Sequence, residues 1–182
     1  MPYDSLMSRF KNILKHIKNR TVTKRILECI NPPPSAMTWA EFNLIKSIIK
    51  IEKPNRCLEW GSGYSTKSFS KLVAKWDGSW TTIEHDWDWY KKALKTRALV
   101  RHIKPNNLDW TGDGTYEDFA NYVEFPQGKY DFVMIDGRAR IACIERALSF
   151  TDTIILHDAP RYNVKGWTII GRIGIYSRKG VR

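Results

Sequence analysis

The sequence predicts an α/β fold, a doubly wound, mainly parallel sheet with an antiparallel C-terminal edge hairpin and N-terminal helices. Three observations predict it. Between residues 55 and 160, short apolar runs of strand character alternate with segments of helical period, the pattern of a parallel sheet covered on both faces. Polar residues gather at the ends of those runs, as in "CLEWGSG", "TIEHD", "MIDG" and "ILHDA". The tail, "WTIIGRIGIYSRK", has two β-rich halves parted by "GRIG", which suits a hairpin.

The elements follow in order. Residues 5–30 place Leu6, Phe10, Ile13, Leu14 and Ile17 on one face, with lysines opposite, and predict a first helix. "NPPPS" at 31–35 ends it, because three prolines cannot continue a helix. A second helix opens with Thr38 as N-cap and runs to about Lys50. "RCLEW" then reads as a buried strand, the segment after "GSG" as a helix, "SWTTIEH" as a strand and "DWDWYKKALKTRAL" as a helix. "VRHIK" is a short strand, "YDFVMID" a strand, "ARIACIERALSF" a helix and "DTIILHD" a strand. The aromatic "WDWY" after Asp86 suits packing over a planar base such as adenine or building core, and core is expected.

Composition narrows the class. A chain of 182 residues, 42% hydrophobic, is enough for one domain with a core and too short for two. We expect a single domain over 1–182, with N-terminal helices in 1–50, a ligand-binding core in 55–160 and the hairpin in 161–182. No run reaches the roughly 20 apolar residues of a membrane span, and the N-terminus lacks the order of a leader peptide. Cys29, Cys57 and Cys143 are odd in number and far apart, which fits neither a disulfide framework nor a zinc knuckle and predicts a reducing, cytoplasmic setting. Net charge is +11, with the excess read at the two ends of the chain. Such a surface suits nucleic acid, an acidic lipid surface or a phosphorylated substrate, or is simply solvated.

The chemistry is read from the strand ends, where doubly wound sheets bind ligands near the reversal of strand order. Glu59 with Gly61 and Gly63, then Glu84 with His85 and Asp86, then Asp136 with Gly137, reach that edge. The glycines let backbone approach a ligand, and the following helix offers unpaired N–H groups. A nicotinamide loop would read G-x-G-x-x-G, but here "GSGYST" puts Thr66 where the third glycine belongs. An acid two residues before the first glycine suits a cationic ligand better than a pyrophosphate. S-adenosylmethionine carries a sulfonium and an ammonium and no phosphate, so Glu59 is expected to face its amino-acid end.

On "LEWGSGYST", "TIEHD", "YDFVMIDG" and "IILHDA", residues 55–160 resemble the class I S-adenosylmethionine-dependent methyltransferases, with a Rossmann-like fold. The resemblance implies that Glu84 binds the two ribose hydroxyls, which match the two oxygens of one carboxylate. Glu59, Gly61, Gly63, Ser65, Thr66, Glu84, His85, Asp113 and Asp136 are the candidate cofactor residues. Ser65 and Thr66 are equally well explained as the first turn of a helix. Asp113, in "WTGDGTYEDF", is a candidate for the adenine amino group, or a turn former between two glycines.

Methyl transfer is an in-line displacement, so the protein has to position the acceptor and, for a hydroxyl, take its proton. Asp136, His157 and Asp158 are the candidate catalytic residues; His157 titrates near neutrality and is a reasonable base, with the two aspartates as alternatives. Asp136 and Asp158 could instead hold a divalent cation, as in enzymes similar to catechol O-methyltransferase, although "HD" stands where that family has an acid–amide pair. A second, weaker resemblance is to polysaccharide O-methyltransferases, through "IDGRAR" and "LHDAPR". It implies a hydroxyl-bearing sugar, glycan or small metabolite as acceptor. Arg138, Arg140 and Arg161 are then expected at the acceptor mouth, where their forks suit an anionic group; otherwise they are surface residues or partners of Asp136 and Asp158. No "NPPY"-type tetrapeptide follows the fourth strand, which favours oxygen over nitrogen. The rivals are an RNA methyltransferase gripping its substrate with basic termini, and a non-catalytic module that holds the cofactor or a glycan. An oligomer or partner-built pocket stays open.

Overall fold

The computed structural model of the chain describes residues 37–178. The helix expected over 5–30, the "NPPPS" break, Cys29 and the basic N-terminal stretch lie outside the described residues.

Helix α1 (Trp39–Glu52) starts where its capping box dictates. The Thr38 hydroxyl accepts the Glu41 amide at 3.3 Å, and the Glu41 carboxylate accepts the Thr38 amide at 2.7 Å. After β1 (Arg56–Trp60) come α2 (Tyr64–Val73), β2 (Ser79–Glu84), α3 (Trp87–Ala93) and β3 (Leu99–His102). Then follow α4 (Ala120–Glu124), β4 (Phe132–Ile135), α5 (Arg140–Leu148), β5 (Thr153–His157) and the pair β6 (Thr168–Ile170) and β7 (Ile173–Ser177). Helix α4 has no counterpart in the sequence expectation; its five residues are too few to show a helical period.

The strands form one seven-stranded sheet in the order β3-β2-β1-β4-β5-β7-β6. β1 through β5 pair in parallel, and β7 is antiparallel to both β5 and β6. Gly171, at φ +61°, takes the first position of the tight β6–β7 loop, where a side chain would be strained. Alternation along each strand sends its residues to two cores. Cys57, Trp80, Phe132 and Met134 pack under α1 and α2 with Phe42, Ile45 and Phe69. Leu58, Trp60, Val133 and Ile135 pack under α4 and α5 with Tyr122, Cys143 and Ile144. The order reverses between β1 and β4, whose ends are aligned by the pairing of Trp60 with Ile135. Among the described residues no helix is long and apolar enough to cross a membrane.

The "WDWY" expectation is corrected here. Trp87 is 56% exposed, and Ala93 is the buried residue of α3. Among the described residues no layer covers helix α3 at the β3 edge, and its aromatic residues pack on one another instead of in a core.

Candidate active site

The loop after β1 is held from below. Glu59, on the face of β1 under α2, has no exposed surface. Its Oε2 accepts the Thr66 hydroxyl at 2.8 Å and the Trp80 indole N–H at 2.9 Å. Thr66 in turn accepts the Gly63 amide at 2.8 Å, so the carboxyl fixes the loop through one hydroxyl. Burial raises the Glu59 pKa to about 8 against the pull of these donors, which keeps the carboxyl largely protonated at neutral pH. The expectation that Glu59 faces a ligand is therefore corrected: it is sealed beneath the loop, because residues 57 and 59 share the helix-covered face.

The two glycines do different things. Gly61 sits at φ +89°, and a Cβ there would lie 2.5 Å from the Gly137 Cα, so this glycine lets two strand-end loops touch each other. Gly63 is extended, and a Cβ there would meet only the Ser65 Oγ, at 3.8 Å. Its flank is the open one.

Glu84, at the end of β2, is 2% exposed. Its Oε1 accepts the amides of His85 and Asp86, both at 2.8 Å, and its Oε2 accepts the Ser62 amide at 2.6 Å and the Ser62 hydroxyl at 2.8 Å. The His85 Nδ1 lies 2.9 Å from Oε1 without the alignment of a hydrogen bond. The His85 ring stands edge-on to Trp110, Phe119 and Tyr122. Asp113 lies by the start of α5, where Oδ2 accepts the Arg140 amide at 3.0 Å and the Tyr162 hydroxyl at 3.1 Å.

At the ends of β4 and β5 lies a network of alternating charge. The His157 Nδ1 is 3.0 Å from Asp136 Oδ1, and its Nε2 is 3.8 Å from Glu41 Oε2. The His157 side chain is 2% exposed and the Asp136 side chain 28%. Burial pushes the imidazole pKa down, but the hydrogen bond and charge of Asp136 and the charge of Asp158 outweigh it, leaving His157 above its ordinary value. Asp158, at φ +56°, accepts Arg172 at 3.1 Å. Arg172 also forks onto Glu41 with two contacts of 2.9 Å. Burial alone would raise the Glu41 carboxyl; Arg172 and the Thr38 amide hold it down to about 2.

Arg140 corrects the expectation of a substrate-facing side chain. It is 6% exposed and donates inward to the carbonyls of Gly137 at 2.9 Å, His157 at 2.7 Å and Asp136 at 3.3 Å. The first residue of α5 has to close the three strand-end carbonyls that the turn leaves open. Arg161 is exposed, 3.8 Å from Asp158, and the Arg138 guanidinium lies over the Trp110 ring at 5.0 Å. Glu41, Ser62, Tyr162 and Arg172 were not foreseen. The "TWAE" capping box singles out Glu41 as a cap, but nothing local links it to Arg172, 131 residues away. Among the described residues no group of three or more His, Cys, Asp and Glu side chains is disposed to hold a metal ion. Cys57 and Cys143 are buried free thiols.

A sheet of this order, with β7 reversed and a glycine loop and acid at the ends of β1 and β2, is the fold of the class I S-adenosylmethionine-dependent methyltransferases. Comparison with solved structures agrees. A Klebsiella pneumoniae protein assigned as an O-methyltransferase superposes with a TM-score of 0.56 at 16% identity, over 79% of this chain and 74% of that one. An O-methyltransferase from Bacillus cereus, solved with S-adenosylhomocysteine, gives 0.54 at 18% identity over 80% and 76%. A Staphylococcus aureus protein assigned as a caffeoyl-CoA O-methyltransferase gives 0.52 at 18% identity over 95% and 100%. No family model matches the sequence, and no curated protein matches it.

Proposed function

We propose that this chain is an S-adenosylmethionine-dependent methyltransferase acting on a hydroxyl oxygen of an anionic sugar or small metabolite. The observation that carries the reading is Glu84. Its carboxylate, anchored by two backbone amides, already accepts a hydroxyl, that of Ser62, beside the open flank of Gly63. A ribose hydroxyl is the same kind of donor, so it can replace the Ser62 hydroxyl without leaving the carboxylate unpaired. Glu84, Gly63 and Ser65 would hold the cofactor, with His85 and Asp113 toward its base. Bound there, S-adenosylmethionine supplies a methyl group on a cationic sulfur.

Asp136 is the member of the Asp136–His157 pair that keeps exposed surface, so it orients the acceptor hydroxyl and takes its proton. His157 is its positioning partner, buried behind it, with its proton affinity raised by the Asp136 hydrogen bond and the charges of Asp136 and Asp158. The proposed base is therefore Asp136, with His157 in support, in preference to His157 itself. Arg161 and Arg138 favour an acidic acceptor. Asp136 and Asp158 are already compensated by His157, Arg140 and Arg172, a set that fits a divalent cation poorly, so none is assigned.

Methyl transfer from S-adenosylmethionine to a panel of hydroxylated sugar acids and sugar phosphates tests the reading. Asp136→Asn should lower the rate by about 10²–10⁴-fold while S-adenosylmethionine binding persists. A parent rate in that variant removes Asp136 from the chemistry.

A further inference from the structure

The charge of this chain is not confined to its ends. Between Asp86 and Lys104 stand six cations, Lys91, Lys92, Lys95, Arg97, Arg101 and Lys104, against two acids, Asp86 and Asp88. All six are exposed, on α3, β3 and the turns that flank β3. Among the described residues Lys91 alone of the six forms an ion pair, with Asp88 at 2.8 Å, and Asp86 is occupied as the α3 N-cap. The same surface carries unburied rings. Trp87, Tyr90 and His102 contact one another with centroids 5.1–5.2 Å apart, and Trp87 remains 56% exposed above the other two. Trp89 lies under the Lys92 ammonium at 4.1 Å and against Tyr64, itself half exposed. A shallow depression on the solvent side of α3 is lined by Asp88, Lys91, Lys92, Leu94 and Lys95.

A solvated basic face needs no exposed indole buttressed by two rings, and an apolar docking face would not be ringed by six cations of which only Lys91 forms an ion pair among the described residues. Polyanionic charge and planar groups are demanded together, and single-stranded nucleic acid has both: phosphates for the cations and bases for the rings. We infer that the α3–β3 edge is a docking surface for single-stranded nucleic acid. The surface follows the β3 edge of the sheet, separated from β4 by β2 and β1, with Trp87 and His102 at the same carboxyl ends of the strands as Asp136 and His157, and the inference does not rest on the acceptor chosen above.

Fluorescence anisotropy of the full chain with a labelled 15-nucleotide uridine oligomer tests this. The expected result is saturable binding that weakens steeply with salt. Lys95→Glu combined with Arg97→Glu should reduce affinity at least tenfold with the basic termini intact. Trp87→Ala should reduce it by about five- to a hundredfold, the loss of one stacked base. Both sites are exposed, and thermal unfolding checks that the variants stay folded. Parent-like affinity in both variants would assign the binding to the termini and overturn the inference. So would an absence of oligomer binding alongside binding to anionic vesicles, or equal competition by a base-free polyanion such as polyglucuronate with Trp87→Ala unaffected.

Discussion

Gly63→Ala separates what the fold needs from what a ligand needs. The added methyl would meet a single atom within 4 Å, Ser65 Oγ at 3.8 Å, an ordinary contact, and the backbone is extended, so the folded chain accepts it. Removing glycine restricts the unfolded chain, and stability should stay level or rise by about 0.4–1 kcal/mol. If the open flank of Gly63 is where the methyl donor lies, the methyl collides with the ligand alone. Overpacking of that size costs about 1–3 kcal/mol, hence a loss of roughly five- to 150-fold in S-adenosylmethionine affinity. Gly61→Ala is the opposite control: its methyl would lie 2.5 Å from Gly137 backbone at a positive φ, so it should destabilise the protein itself. Calorimetric titration and thermal unfolding of both variants give the readout. Parent affinity in a fully folded Gly63→Ala would refute the placement of the ligand against this loop.

Two further predictions concern buried charge. The Glu59 pKa, raised by burial from 4.5 to about 8, makes folding take up a proton, so its contribution is complete below pH 4.5 and lost as pH rises toward 8. His157, also raised, works in the same direction above its ordinary 6.5. Glu59→Gln should therefore flatten stability between about pH 5 and 6.5, a change on the order of 1–2 kcal/mol, in urea unfolding measured across pH; an unchanged slope would mean that Glu59 is ionised in place. Arg140→Leu strands three carbonyls and takes a cation from beside Asp136 and Asp158, and should cost about 3–5 kcal/mol in the same assay. A loss below 1 kcal/mol would show that solvent reaches those groups.

The parallel core was legible because its strands are short apolar runs with helical period between them, and the hairpin because "GRIG" interrupts a β-rich tail. Side-chain direction was not legible. The "RAR" of 138–140 does not say that Arg140 turns under the strand ends while Arg138 lies over Trp110. "WDWY" has the composition of core, and only the edge position of α3 leaves Trp87 outside. Glu59 could be assigned to a helix-covered face only once the pairing and covering layers were known. The coupling of Glu41, Arg172 and Asp158 joins three elements distant in sequence, for which no local pattern exists. Charge read as terminal excess concealed the run from Lys91 to Lys104, which lies in the folded core sequence.

Titration of the purified chain with S-adenosylmethionine, S-adenosylhomocysteine and NAD, repeated on Glu84→Gln, bears most directly on the methyl-donor site. Saturable binding of the first two, none of NAD, and at least tenfold weakening in Glu84→Gln are expected. Binding of neither adenosyl ligand, or parent affinity in Glu84→Gln, would contradict the assignment of Glu84 and its loop.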